Sequence, residues 1–258
     1  MRMLNQHGND FIKTLNHIKA SKSPYEVFND WLVMTAAALY SWKNDQAVEN
    51  EYTETAEQYK KEELEKHGQL LEITVDALEK TEKDFLGEVF TELNLTNKRG
   101  GQFFTPYNVS LMMARMIIGS NELPAGRVCK VNDPTCGAGG MLVAGAMVMK
   151  ERGFDFQNNA FFVGQDIDAR CARMTYIQLS LLGVPAVVYH MNTLTMQEYW
   201  HRETIGYHMA DMDFRLRAEE MLDIIKNPKP QKAETAEIPE EKAITIPPAG
   251  ECVQGELF

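Results

Sequence analysis

The stretch VNDPTCGAGGM, residues 131–141, constrains the fold more than any other part of this sequence. An apolar run ends at Asp133, and Gly137, Gly139 and Gly140 follow before an apolar helical pattern that continues to about Arg152. Glycines in that order let the backbone bend tightly and let a ligand approach with no Cβ in the way. The helix that follows turns unpaired N–H groups and a partial positive potential toward the loop, which suits a carboxylate. Ahead of the loop, Val128–Val131 is the first of three short Val- and Phe-rich runs; the others are Ala160–Val163 and Ala186–Tyr189. Helical stretches separate them, the second from about Ala169 to Leu182. Such alternation predicts an α/β domain on a parallel sheet.

The chain upstream reads differently. Residues 24–42 have apolar positions at mixed helical spacing and predict a largely buried helix. Residues 51–80, rich in Glu, Lys, Gln and Leu, predict one or two helices with a solvated acidic face. Helical spacing returns over 84–95 through Phe85, Val89, Phe90 and Leu93. The expected organisation is a helical region over 1–95, a cofactor-binding domain over 96–225 and a disordered tail over 226–258. Within it, 197–225 reads as mostly helical. Of the formal net charge of −11, nine units fall within residues 43–92, and 93–225 is near neutral. Charge therefore neither supports nor excludes a nucleic-acid partner. Four cysteines are scattered without CxxC spacing, which suggests neither a zinc site nor a disulfide framework. No apolar run approaches the ~20 residues of a membrane helix, and the N-terminus lacks the apolar segment of a signal peptide. A cytoplasmic protein with reduced thiols is expected.

A second acidic position follows in FFVGQDID, where Asp166 lies just past the second strand. A carboxylate at that place in an open α/β sheet can accept both ribose hydroxyls of a nucleoside cofactor. The glycine turn alone would suit a dinucleotide or no ligand, but its spacing departs from GxGxxG and disfavours a dinucleotide-dependent oxidoreductase. The fuller order Asp-Pro-x-Cys-Gly-x-Gly-Gly resembles the first motif of N6-adenine DNA methyltransferases, especially the modification subunits of type I restriction systems. The resemblance covers about residues 84–194. It implies a Rossmann-like, truncated methyltransferase core with an N-terminal helical region, and S-adenosylmethionine as cofactor. In GQFFTP (101–106), Phe104, Thr105 and Pro106 would then line the methionine end. Asp133, Gly137 and Gly139 match the loop around the amino-acid moiety. Gly164 and Asp166 match the ribose motif, where relatives often carry Glu. Asn192-Thr193-Leu194 stands in the place of Asp-Thr-Leu, whose Asp would bond the cofactor's adenine amino group. Asn can accept through its carbonyl but lacks the charge.

The same family uses Asn-Pro-Pro-Tyr or Asn-Pro-Pro-Phe to hold a flipped-out adenine, the Asn and first Pro carbonyl on the exocyclic amine and the aromatic on the base. No such tetrapeptide occurs in this sequence. HMADMDF (208–214) puts Asp211 and Phe214 about where the Asn and the aromatic would fall, although Met212-Asp213 cannot reproduce the Pro-Pro backbone. An ordinary helix turn is the preferred reading there, and NPKP (227–230) reads as a helix stop. The family fold has seven strands with the first one central; only three are legible here, which would leave the first with an open edge. Residues 196–225 or another chain would have to cover it, so a protein partner or homodimer is expected. DNA is an expected partner, directly or through another chain; with no recognisable target-recognition domain, any sequence specificity would have to come from elsewhere. The resemblance thus implies a DNA adenine-N6 methyltransferase or a subunit of one. The alternative is a catalytically inactive cofactor-binding pseudoenzyme serving a DNA-associated complex. Finally, Gln254, Leu257 and Phe258 resemble the short peptide with which bacterial replication and repair proteins dock on the sliding clamp. Arg170 and Arg173, one helical turn apart, read as a solvated helix face.

Overall fold

A computed structural model of the chain describes residues 4–18, 21–81, 83–96, 104–119 and 128–210, and beyond these only 214–215, 218–219 and 222. The first part is helical: α1 (Gln6–Asn16), α2 (Pro24–Tyr40), α3 (Gln46–Ala56), α4 (Lys61–Thr81) and α5 (Phe85–Thr96). The start of α2 is written locally. Ser23 accepts from the Glu26 N–H, the Glu26 carboxylate accepts from the Ser23 N–H at 2.8 Å, and Pro24 opens the first turn. The acidic stretch predicted as one or two helices is two, α3 and α4, and α3 is capped by Asp45. Phe11, Phe28, Trp31, Phe85 and Phe90 are buried together, with Phe11 edge-on to Trp31 at 5.1 Å and to Phe85 at 5.8 Å. Aromatic burial of this kind contributes about 2–3 kcal/mol per ring and fixes how these helices meet.

The α/β part continues with α6 (Tyr107–Ile117), β1 (Cys129–Asp133), α7 (Gly140–Glu151), the short α8 (Phe156–Asn159), β2 (Ala160–Asp166), α9 (Ala169–Leu181), β3 (Ala186–Asn192), β4 (Gln197–Glu203) and α10 (Ile205–Met209). The three expected strands form, and β1–β2–β3 are parallel, with Asp133 level with Gly164 and Asp166 level with His190. Residues 197–203 are a correction. They form a fourth strand, antiparallel to β3, where the sequence reads as helix. The strand order is β1-β2-β3-β4, so β4 extends the edge away from β1. Among the described residues, β1 has β2 as its one strand partner, and the expected cover from 196–203 goes to the opposite edge.

Strand periodicity divides the sheet into two faces. Phe162 and Val188 join α7, α9 and the aromatic helices in one continuous core. Phe161, Val163, Val187 and Tyr189 form a second cluster on the other face with Tyr207 of α10 and Phe214. The N-terminal helices therefore share a core with the helix-covered face of the sheet. No helix among the described residues is long and apolar enough to cross a membrane.

Candidate cofactor site

The polar ends of three adjacent parallel strands, Asp133, Asp166 and Asn192, lie along the carboxyl edge of the sheet, where open α/β folds bind ligands. The glycine loop crosses from β1 to α7 above β2 and is stitched to it. The Cys136 N–H donates to the Gln165 carbonyl at 2.9 Å, and the Gly137 N–H to Asp166 Oδ2 at 2.9 Å. Asp166 Oδ1 accepts from the Asp168 N–H at 2.8 Å, and Asp133 Oδ1 from the Thr135 N–H at 3.1 Å. Each Asp166 oxygen keeps a lone pair beyond these bonds, so the carboxylate shapes the loop and still has capacity for a hydroxyl donor. Burial raises both Asp133 and Asp166 above the ordinary aspartate value, against the opposing pull of their backbone hydrogen bonds.

Glycine is required twice in the loop. Gly137 has φ +56° and a Cβ there would stand 3.0 Å from the Phe104 ring. Gly139 has φ +95° and a Cβ would stand 3.0 Å from Thr175 Oγ1. Both conformations lie in the left-handed region, and both sites lack room for a side chain.

Phe104 joins the loop to the helical region: its ring also meets Phe90 at 5.2 Å. Phe104, Thr105 and Pro106 form one wall of a cavity of about 240 Å³, with Asp84, Gly87 and Glu88 across from them on and before α5. Residues 101–103 of the motif lie outside the described residues. Asn192 differs from its expected use. Its Oδ1 already accepts from the Leu194 N–H at 3.0 Å and the Thr195 N–H at 3.2 Å. Both carbonyl lone pairs are taken, so the amide offers its NH₂ group to a ligand, a donor where the family's Asp would accept.

Several residues escape sequence reasoning. Ile167 and Leu194, directly after Asp166 and two after Asn192, are 60% and 95% exposed, apolar groups flanking the polar strand ends. An aliphatic residue one or two positions beyond each polar strand end, Asp166 and Asn192, was the available signal. Asp84, Thr175 and Gln178 are buried beneath the loop, with partners far away in the sequence.

Asp211 lies outside the described residues, as do Gln254, Leu257 and Phe258. Phe214 is 4% exposed and edge-on to Phe161 at 6.4 Å, on the face of the sheet away from α7 and α9. Stacking on a base would require that ring to leave the core. Arg170 and Arg173 do not form the expected solvated face. Arg170 Nε donates to Asp168 Oδ1 at 2.8 Å and its guanidinium lies over Tyr25, while Arg173 is ion-paired to Glu51 with its side chain 13% exposed.

Residues 81–244 match the family described as N-6 DNA methylase. A relative is the type I restriction enzyme MpnII methylase subunit of Mycoplasma pneumoniae, 27% identical over 140 residues. That match takes in 51% of this chain and 24% of the relative, so the chain spans about a quarter of the curated relative it matches. Among solved structures, a putative class I S-adenosylmethionine-dependent methyltransferase from Listeria monocytogenes aligns at 14% identity and TM-score 0.42, over 72% of this chain and 53% of its own. A type I restriction-modification methyltransferase subunit from Streptococcus thermophilus aligns at 14% identity and TM-score 0.41, over 76% of this chain and 59% of its own. Matched over 81–244, a span that holds the glycine loop, both acidic strand ends and the FTP wall, the chain belongs to the N-6 DNA methylase family.

Proposed function

We propose that this chain binds S-adenosylmethionine and is the cofactor-holding part of a DNA adenine-N6 methylation subunit of restriction-modification type. One observation carries the reading: the glycine loop is hydrogen-bonded to Asp166 at the carboxyl edge of a parallel sheet, in a chain of the N-6 DNA methylase family. Asp166 would accept the ribose hydroxyls. The loop from Asp133 through Gly137 to Gly139 would hold the amino-acid moiety, with Phe104, Thr105 and Pro106 as the wall beside it. Ile167 and Leu194 would take the two faces of the adenine ring, and the Asn192 amide its edge. When bound, the cofactor supplies an electrophilic methyl group; the residues named here bind and orient it.

This sequence lacks Asn-Pro-Pro-aromatic, and the degenerate pair Asp211 and Phe214 includes a ring committed to the core. A partner subunit beside β1 is supported by the sheet order, which leaves β1 outermost among the described strands, and by Val109, Met112 and Met113 of α6, 38–54% exposed apolar residues of one helix. The missing tetrapeptide also favours a second reading, a cofactor-binding pseudoenzyme that serves a DNA-associated complex.

Calorimetry with S-adenosylmethionine, followed by methyl transfer from labelled cofactor to mixed-sequence DNA, separates these readings. Binding plus transfer by the chain alone overturns the need for a partner. Binding, with transfer only when other subunits of its complex are added, supports the first reading. Binding without transfer even in that complex leaves the pseudoenzyme. No binding removes both. A monodisperse monomer in light scattering, with β1 amides protected from hydrogen exchange by the chain itself, would sink the edge partner.

A further inference from the structure

The underside of the glycine loop rests on one face of α9. Thr175 and Gln178, one turn apart and both fully buried, meet two successive carbonyls of the loop. Thr175 Oγ1 donates to the Gly137 carbonyl at 2.9 Å, and Gln178 Nε2 donates to the Ala138 carbonyl at 2.7 Å. The rest of the Gln178 amide is used as well. Nε2 also donates to Asp84 Oδ1 at 2.8 Å, and Oε1 accepts from the Leu86 N–H at 3.1 Å. Asp84 in turn accepts from the Gly87 N–H at 2.9 Å and packs so close to the loop that a Cβ on Gly140 would stand 2.8 Å from its Oδ2. A buried amide paired at both ends has one orientation, and swapping its ends would oppose donor to donor and acceptor to acceptor.

The direction of those two carbonyls matters for a ligand. A trans peptide plane points C=O and N–H to opposite sides, so a Gly137 carbonyl turned down to α9 turns the Ala138 N–H up. A flip of that plane would instead aim an oxygen at the region assigned to the cofactor's amino-acid carboxylate, and the two oxygens would repel.

We propose that Thr175 and Gln178 are positioning residues for the methionine end of the cofactor, holding the loop carbonyls away from the ligand, and that Gln178 makes this conformation depend on the docking of α5 through Asp84. The proposal rests on the reading that the loop binds S-adenosylmethionine. It predicts a selective effect, because the nucleoside end is held by β2 and β3 instead.

The test compares calorimetric affinities of the full chain for S-adenosylmethionine and for 5′-methylthioadenosine, which lacks the amino-acid portion, alongside thermal unfolding. Thr175→Val and Gln178→Glu should each weaken S-adenosylmethionine about five- to tenfold and change methylthioadenosine by less than about twofold. The exchange Gln178→Glu/Asp84→Asn restores an amide–carboxylate pair but supplies no donor to Ala138. Its unfolding midpoint should recover while the selective loss of S-adenosylmethionine affinity persists. Equal weakening of both ligands, or affinity that recovers together with the midpoint, overturns the proposal. If Gln178→Glu does not fold, Thr175→Val decides alone: a selective loss supports positioning, and an equal or absent loss removes it. Wild-type protein that binds neither ligand refutes the cofactor reading itself, a separate outcome.

Discussion

The glycine loop on β1 and β2 and the hairpin of β3 and β4 sit on one sheet, yet they are held by different forces. The loop is held by backbone groups: the Cys136 and Gly137 N–H groups on β2, and two carbonyls on α9. The hairpin adds side-chain charge to its antiparallel backbone ladder. Glu51 of α3 pairs with Arg173 of α9 and with Arg202 of β4, the latter at 2.7 Å, and Trp200 lies against both guanidiniums at 5.5 and 5.1 Å. Burial pulls the Arg173 guanidinium below its ordinary value, and Glu51 opposes that shift. A loop fixed by backbone geometry can shape a ligand site; the Glu51 pairs anchor the sheet edge at Arg202, which lies opposite Val188 and away from the turn that carries Asn192 and Leu194. Changes to the first should move affinity, and changes to the second should move stability.

The largest expected effect breaks the hairpin. Glu51→Ala leaves two guanidiniums, 13% and 4% exposed, without their shared carboxylate. Loss of one partner from a buried ion pair is strongly destabilising, and the partial exposure of Glu51 reduces that to about 2–3 kcal/mol. Urea unfolding should show this loss, while the folded variant should bind S-adenosylmethionine with the wild-type affinity. A drop in affinity that equals the drop in stability would erase the distinction between the two regions.

Next in size is the loop. Gly139→Ala forces a side chain onto φ +95° and into Thr175, a strain of about 1–3 kcal/mol. We expect roughly tenfold weaker S-adenosylmethionine binding, with a fold that circular dichroism cannot distinguish from wild type. Acid should act on the same region. Because burial raises Asp133 and Asp166, the folded state takes up protons above the usual aspartate range. Their contribution to stability therefore rises as pH falls through that window, since the cost of burying charge is relieved. Ribose affinity should move the opposite way, falling by at most about tenfold per pH unit for one proton. Calorimetry and thermal unfolding over the same pH series should give slopes of opposite sign once the other titrating groups are subtracted with an Asp166→Asn control.

This contrast also explains what could be read from the sequence. Glycines with positive φ and acids at strand ends are local requirements, so the loop, Asp133, Asp166 and the three parallel strands were legible. Strand β4 was not. Its residues QEYWHRE are mostly polar and partly exposed, and what makes them a strand is the pairing with β3 and the charge on Glu51, 151 positions away from Arg202. Arg170 and Arg173 misled for the same reason, because helical spacing identifies a shared face without saying what covers it. Asp84 and Gln178, 94 positions apart, left no local trace at all. Phe214 shows the converse: a residue at a motif-like spacing whose apolar character is spent on Phe161 and the sheet.

The smallest expected effect is also the one that most sharpens the division, because it tests a single atom of the ligand edge. Asn192 stands between the two regions, at the end of β3 and the start of the hairpin turn. Its carbonyl is committed to the Leu194 and Thr195 N–H groups, which leaves the NH₂ group as a donor. An adenine amino group is also a donor, so the two repel or need a water between them. Asn192→Asp keeps one oxygen for the turn and offers the other as an acceptor, at little cost in shape. S-adenosylmethionine affinity should rise about fivefold, the yield of one added hydrogen bond at a partly exposed position where solvent screens the charge, and urea stability should stay within about 0.5 kcal/mol. The same substitution should not improve binding of the inosine analogue, whose 6-oxygen would meet the new carboxylate. An equal gain for both ligands would mean that the charge acts on the sulfonium at a distance, and residue 192 would then belong electrostatically to the loop rather than to the adenine edge.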